Sequence, residues 1–399
     1  GVTERKIYLD YILDHYSKTP MKKCKPLIRS LLRMGAYQIL FMDVRDAAAC
    51  SEAVSLAKKR GFGRLSGFVN GVLRTLVREK ENLPVPDKKD DVKYVSITYS
   101  VPEWLSKLII EQYGKESAEK IFASFLEARP LTIRTNLSKT TPEELEKELE
   151  EAGVKVEKGN YLPYAFTISN LNYLGKIAAF RQGKFAVQDE SSQLAVAIAD
   201  INEGDFVLDV CAAPGGKTFH AADRLKGAGK VLSRDLTEYK TELIEENKDR
   251  MHYENVEVQQ WDALEEDESL LESVDVLLAD LPCSGLGIMG RKNDIKYQMT
   301  EEQLGELAAL QRQILSVVWK YVKPGGQMIF STCTLNKGEN AENIKWIEEN
   351  TPLHLVSIEE YLPQNLKNRT GSQGYLQLIP GEDTCDGFFI SKFKRPEAK

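Results

Sequence analysis

Residues 205–225, "DFVLDVCAAPGGKTFHAADRL", decide the fold: they read as a buried strand over 206–210, a tight turn through Pro214, Gly215 and Gly216, and a helix starting near Lys217 or Thr218. A strand feeding a helix through adjacent glycines is one unit of an open α/β sheet. Ligands of such sheets bind at the carboxyl ends of the strands, where glycines let them lie against the backbone. The turn has neither the G-x-G-x-x-G spacing of dinucleotide sites nor the G-x-x-x-x-G-K-[ST] spacing that wraps phosphates. It therefore predicts a nucleotide site whose ligand is neither a dinucleotide nor ATP.

Working outward, the next strand, "KVLSRD", ends in Asp235, placed to accept both ribose hydroxyls of an adenosine. "VEVQQWD" ends in Asp262, which could take the adenine amino group. One acidic residue at a strand end is usually a cap or a surface group; acidic residues closing successive units favour a ligand cleft. "VDVLLADLPCSGLGIMGRKNDIKY" then supplies Asp280, Pro282 and Cys283 at the end of a fourth strand, and "GGQMIFSTCTLNKGEN" supplies Cys333 at the end of a fifth. Neighbouring parallel strands end on one edge, so both sulfurs are expected beside the cleft. A single free cysteine is usually a buried small hydrophobe. Two at adjacent strand ends favour chemistry.

The reaction that fits is methylation of a ring carbon too weakly nucleophilic to react alone. C5 of a pyrimidine resists an electrophilic methyl group, but a thiolate added at C6 turns C5 into an enamine carbon. The cysteine must later be expelled, which gives a second sulfur a use. The thiolate must be populated near neutral pH, so a lowered pKa is expected, with Lys217 and Lys337 as the cations. The residues by themselves leave the roles of the two cysteines interchangeable.

At 399 residues the chain is long for one domain. It has no run approaching the ~18 apolar residues of a membrane helix and no basic-then-apolar signal pattern, so a cytoplasmic protein is expected. The six cysteines form no C-x-x-C pair and the four histidines are dispersed, which argues against structural zinc or a disulfide framework. Net charge is −7, yet residues 1–80 hold 16 Lys and Arg against 7 Asp and Glu. That segregation suggests that one end meets a polyanion; a solvated basic helical face is the plainer alternative.

Residues 1–82 read as an all-helical bundle, with Pro26 opening one helix and "GFVNGVLRTLVRE" spacing Phe68, Val69, Val72, Leu73, Leu76 and Val77 at three and four. Residues 83–100, polar and proline-broken at the start, are expected to be a linker. Residues 101–183 read as a helical stretch and a small α/β module, in which "LTIRTN" is a strand, Thr141 caps a helix opened by Pro142, Leu145 and Leu149 face inward, and Gly153 ends it. From 184 to 399 strands and helices alternate, beginning with a helix capped by Asp189, which predicts a mostly parallel sheet with helices on both faces.

Taken together, "CAAPGGKT", "DLPCSGLG" and "STCTLNKGENAENI" resemble the motifs of the Nop2/Sun RNA cytosine-5 methyltransferases. The helical "GFVNGVLRTLVR" with its basic flanks resembles the NusB-like RNA-binding domain of the bacterial Sun branch. The resemblance runs nearly the whole chain, to "DGFFISKFKR". It implies a multidomain protein: an all-α NusB-like bundle, a small RNA-presenting α/β module, and a class I Rossmann-like domain that binds S-adenosylmethionine. It implies formation of 5-methylcytosine in 16S ribosomal RNA, at cytosine 967, by a monomer without metal or membrane partner. Cys333 is implied as the nucleophile toward C6 and Cys283 as the cysteine that helps release product. Cofactor contacts are implied for Cys211, Ala212, Ala213, Pro214, Gly215, Gly216, Lys217, Asp235, Asp262 and Asp280; Asp280 could equally hold the base, with Lys217. Members carry further helices before the point where this chain starts, so an incomplete helical domain is expected. Arg134 is a candidate phosphate contact. Because the target carbon is hidden in a stacked helix, the cytosine must be unstacked or in a loop.

Three other readings stay open on sequence: a transfer RNA methyltransferase of the same family, a nicotinamide dehydrogenase on a doubly wound sheet, and a non-catalytic ribosome-assembly factor.

Overall fold

The alternating "LTIRTN" forms strand β1 (Leu131–Thr135). It pairs in antiparallel fashion with β3 (Ala165–Ser169) and β4 (Phe185–Val187), and β2 (Lys155–Lys158) completes the order β2-β3-β1-β4. The connecting helix Pro142–Glu151 begins with a reciprocal cap: Thr141 Oγ1 accepts the Glu144 N–H and Glu144 Oε2 accepts the Thr141 N–H, both at 3.2 Å. Such a cap stabilises a helix by about 1 kcal/mol. Leu145 and Leu149 of this helix are buried against Ile133, Phe166 and Phe185.

The larger sheet comprises β5 (Phe206–Asp209), β6 (Lys230–Asp235), β7 (Val256–Gln260), β8 (Val274–Asp280), β9 (Val322–Thr332), β10 (His354–Leu355), β11 (Tyr375–Leu378) and β12 (Phe388–Lys394). Its order is β10-β12-β9-β8-β5-β6-β7, with β11 also on β12. β5 to β9 are mutually parallel and β12 runs antiparallel to β9. From β5 the chain steps outward to β6 and β7, then returns to the other side as β8 and β9. The reversal between β5 and β8 opens a crevice at their carboxyl ends, the usual ligand position in such sheets. The core strands are near-continuous apolar runs (Val207, Leu208; Val276, Leu277, Leu278; Met328, Ile329, Phe330), as burial on both faces requires.

The computed structural model describes residues 1–398. They fall into two units, residues 1–126 with 290–298, and residues 127–289 with 299 onward. In the first, helices Lys6–Tyr16, Pro26–Phe41, Asp46–Lys59 and Ser66–Glu79 enclose a core including Leu9, Ile12, Leu32, Val69, Leu73 and Leu76. The segment 290–298 belongs to this unit. Its Lys296 is buried, donates to the Glu4 carbonyl at 2.8 Å, and has its pKa pushed down to about 8 by burial. No helix among the described residues is long and apolar enough to cross a membrane.

Several boundaries differ from expectation. The linker expected over 83–100 contains the helix Asp91–Tyr99, started by Asp90 Oδ1 accepting the Lys93 N–H at 3.1 Å and anchored by buried Val95. The prolines that suggested a linker punctuate only its beginning. Helices Glu103–Tyr113 and Lys115–Ser124 group with the first unit rather than with the α/β module, and β4 carries the small sheet past residue 183. Arg134 is not a surface phosphate contact. Its side chain is fully buried: Nε donates to Gln188 Oε1 at 3.0 Å, and Nη1 lies 3.4 Å from Asp223 Oδ2. Asp223 also accepts the N–H groups of Leu137 and Ser138 and the Tyr253 hydroxyl. Ile133 faces the core under the helix, so Arg134 lies on the opposite face of β1, which is also buried and where the Asp223 carboxylate pairs with it.

Candidate active site

The turn after β5 is shaped by a glycine that no other residue could replace. Gly215 has φ +99° and caps the helix Gly216–Arg224; a Cβ there would stand 2.3 Å from the Phe219 ring. Its N–H donates to the Ala212 carbonyl at 2.7 Å, closing the turn. The loop is tied to β6 twice: Ala212 N–H donates to the Arg234 carbonyl at 3.0 Å, and Ala213 N–H to Asp235 Oδ2 at 2.9 Å. Asp235 Oδ1 accepts the Leu236 N–H and the Lys240 ammonium, each at 2.8 Å.

A cleft of about 170 Å³ lies over this turn, lined by Cys211, Ala212, Ala213, Pro214, Gly216, Lys217 and Asp280, and by Asp209, Gln188, Asp189 and Ser192. Most of the expected cofactor residues thus share one surface, but Gly215, Asp235 and Asp262 stand outside its lining. Asp262 lies two residues beyond the end of β7, where its Oδ1 accepts the Leu264 N–H at 2.9 Å.

Lys217 Nζ and Asp280 Oδ2 are 2.6 Å apart, and Asp280 Oδ1 accepts the Ser331 hydroxyl at 2.7 Å. Asp280 is thereby fixed from β5's helix and from β9 while part of it faces solvent. Beyond it, Cys283 and Cys333 bring their sulfurs to 3.3 Å, and both are partly exposed. Glycine permits the loops to approach: Gly287 N–H donates to the Cys333 carbonyl at 3.0 Å, and a Cβ on Gly287 would lie 2.0 Å from the Gly387 carbonyl oxygen.

The Cys283 thiol is pushed well above its ordinary pKa, first by its hydrogen bond with Cys333, then by burial and the nearby carboxylates Glu339 and Asp280. Lys217, one of the two cations expected to act on the attacking thiol, is paired with Asp280. Cys283 therefore keeps its proton. Burial, then Asp235 and Asp209, push the Cys211 thiol up as well, so Cys211 is a neutral wall of the cleft.

Asp209, Gln188, Asp189 and Ser192 line the cleft without having been expected there; Asp189 was expected only as a cap, and its Oδ1 does accept the Ser191 N–H at 3.0 Å. Asp209 Oδ2 accepts the Thr218 hydroxyl at 2.8 Å, while Oδ1 is buried without a hydrogen-bond partner. Burial raises its pKa to about 7. An acidic residue ending the apolar "FVLD" was the available signal. This orphaned oxygen, beside a Gly216 whose Cβ position meets nothing nearer than 3.8 Å, suits a ligand carrying ammonium or hydroxyl donors.

Comparison with known proteins accords with this chemistry. The model of the family described as 16S rRNA methyltransferase RsmB/F matches residues 196–394, the NusB family matches 1–78, and the ferredoxin-like domain of RsmF/B-like methyltransferases matches 101–172. The probable ribosomal RNA small subunit methyltransferase B of Bacillus subtilis is 37% identical over 403 residues, covering 99% of this chain and 88% of the relative. The chain belongs to the RsmB/F family. A second member, the ribosomal RNA small subunit methyltransferase B of Vibrio cholerae, is 30% identical over 98% of this chain and 86% of its own. Among solved structures, PH0851 aligns with a TM-score of 0.83 at 26% identity, over 99% of this chain and 88% of that one. NSun6 from Pyrococcus horikoshii, solved with SFG, aligns with a TM-score of 0.66 at 22% identity, over 74% of this chain and 99% of that one, and shares the fold. The cofactor of the RsmB/F chain is S-adenosylmethionine, and the donors and acceptors of its cleft fit that molecule.

Proposed function

We propose that this chain forms 5-methylcytosine in 16S ribosomal RNA, at cytosine 967 by resemblance, with Cys333 as nucleophile and Cys283 as the residue that assists release. The observation that carries the reading is the 3.3 Å approach of the two sulfurs at the ends of adjacent parallel strands, next to the glycine turn. The relatives named as small-subunit ribosomal RNA methyltransferases support the substrate, as does the basic N-terminal segment.

S-adenosylmethionine, when bound, supplies an electrophilic methyl group. The backbone of residues 211–217 would hold it, with Asp209 and Asp280 as acceptors at the cleft and Asp235 and Asp262 as acceptors along the strand ends. Cys283, whose thiol is held well above its ordinary pKa, stands as a neutral partner 3.3 Å from Cys333, which attacks as the thiolate once its own proton has passed to solvent. The Cys333 sulfur bonds to C6, and the ring's electron pair moves onto C5. The C5 electron pair would take the methyl group as the sulfonium S–CH3 bond broke, its electrons staying on the donor sulfur as a neutral thioether; the C5 proton then passes to a base, the C–H electrons restore the C5–C6 double bond, and the S–C6 bond breaks with its pair returning to Cys333. Asp280, paired with Lys217, is positioned to hold the N3 or N4 edge of the base.

The test is tritium transfer from labelled S-adenosylmethionine to small-subunit and transfer RNA, followed by bisulfite sequencing. Label in 5-methylcytosine of 16S RNA, lost in Cys333→Ala, supports the proposal. Label confined to transfer RNA, or at another base atom, would refute it.

A further inference from the structure

We propose that Glu339 is a positioning residue that holds the two cysteine loops in register, and that methyl transfer depends on it although it lies away from cofactor and base. The inference rests on the cysteine roles given above. Glu339 is fully buried with no cation hydrogen-bonded to it among the described residues. Its oxygens are instead taken by donors from three segments. Oε2 accepts the Ser284 N–H at 2.9 Å and Gln311 Nε2 at 3.0 Å; Oε1 accepts the Ser284 hydroxyl at 2.5 Å and Asn336 Nδ2 at 3.1 Å.

Ser284 follows Cys283, and Thr334 follows Cys333. Because the single Ser284 hydroxyl proton points to Glu339, the Thr334 hydroxyl must donate to Ser284 Oγ, 2.6 Å away. One carboxylate thus closes a chain of hydrogen bonds that clamps the residue after each sulfur. Gln311 Nε2 also donates to the Pro282 carbonyl at 2.8 Å, so Cys283 is held from both sides. A buried carboxylate is costly to desolvate, and only a full set of donors makes it stable there. An amide cannot replace it, since its NH₂ would face the N–H and hydroxyl donors that the second oxygen now accepts. Two loops that must keep their sulfurs within an ångström of one geometry have a use for such a clamp. The negative charge also lies near Cys283 and contributes to keeping it protonated.

The experiment compares wild type, Glu339→Gln and Ser284→Ala, the latter removing only the hydroxyl bridge. The first readout is the rate of disulfide formation between Cys283 and Cys333 with diamide, followed by peptide mass spectrometry. Here two thiols form one S–S bond, and their two protons and two electrons reduce the azo bond. The second is single-turnover methyl transfer, and the third is S-adenosylmethionine affinity by calorimetry. The expected result for both variants is disulfide formation at least about tenfold slower and methyl transfer about 10- to 100-fold slower, with cofactor affinity and the RNA KM within about threefold. Unchanged disulfide rate in both variants overturns the proposal, whatever happens to activity. Loss of cofactor binding in step with activity in both also overturns it, because a collapsed domain explains that. If wild type transfers no methyl group, the catalytic reading fails, while the disulfide rates still decide the positioning claim.

Discussion

Cys283 Sγ stands 3.3 Å from Cys333 Sγ, although 50 residues separate them and each ends a different strand of the sheet. Two thiols this close cannot behave as independent groups. The contact with Cys333, together with burial, holds the Cys283 thiol well above its ordinary pKa.

Replacing Cys283 by Ala should leave a nucleophile without the group that assists its departure. Cys283→Ala is expected to accumulate a protein–RNA adduct that survives denaturing gels in the presence of cofactor. Methyl transfer without such a shifted band would remove Cys283 from the release step.

The raised pKa of Cys283 also predicts its reactivity. Because the raised pKa suppresses the thiolate, labelling of Cys283 by iodoacetamide at pH 8 should be slower than that of an unstructured cysteine and should rise as pH increases. The largest cause is the bond from Cys333, so Cys333→Ala should speed labelling of Cys283. Residue-resolved mass spectrometry measures both rates, and slower labelling in the variant would contradict the assignment.

Asp235, proposed to bind the ribose, receives the Ala213 N–H of the cofactor turn. Asp235→Ala should weaken S-adenosylmethionine binding by about 1.5–3 kcal/mol, the range of a lost charge-assisted hydrogen bond. Calorimetry checks this; an affinity within twofold of wild type would place the ribose elsewhere.

The buried Arg134–Asp223 pair belongs to stability. Asp223→Ala should cost about 3–5 kcal/mol, since it strands a buried guanidinium and frees the N–H groups of Leu137 and Ser138. Urea unfolding is the measurement. A loss below about 1 kcal/mol would mean that water reaches the arginine.

The strand–turn–helix at 205–225 and the capped helix after Thr141 were legible in sequence because their signals are local: glycines in succession, a cap, and an apolar run of strand length. The two cysteines could be placed on one edge because parallel strands end together. What sequence hid depends on contacts between distant segments. Glu339 sits in "NKGEN", which reads as a polar loop, and donors from Ser284, 55 residues earlier, and from Gln311, 28 residues earlier, help make it a buried acceptor. Arg134 looked like a surface residue until Asp223, from the helix after the glycine turn, filled the space beside it. The helix Asp91–Tyr99 was obscured by the prolines and lysines preceding its cap.

The most direct test of the central claim is to trap the covalent step. RNA carrying 5-fluorocytidine at the target position cannot lose a C5 proton, so the S–C6 bond should persist after methylation. Mass spectrometry of the digested complex is expected to find the nucleotide on Cys333. Attachment at Cys283, or a complex with no modified cysteine from an enzyme that methylates the unsubstituted RNA, would contradict the account.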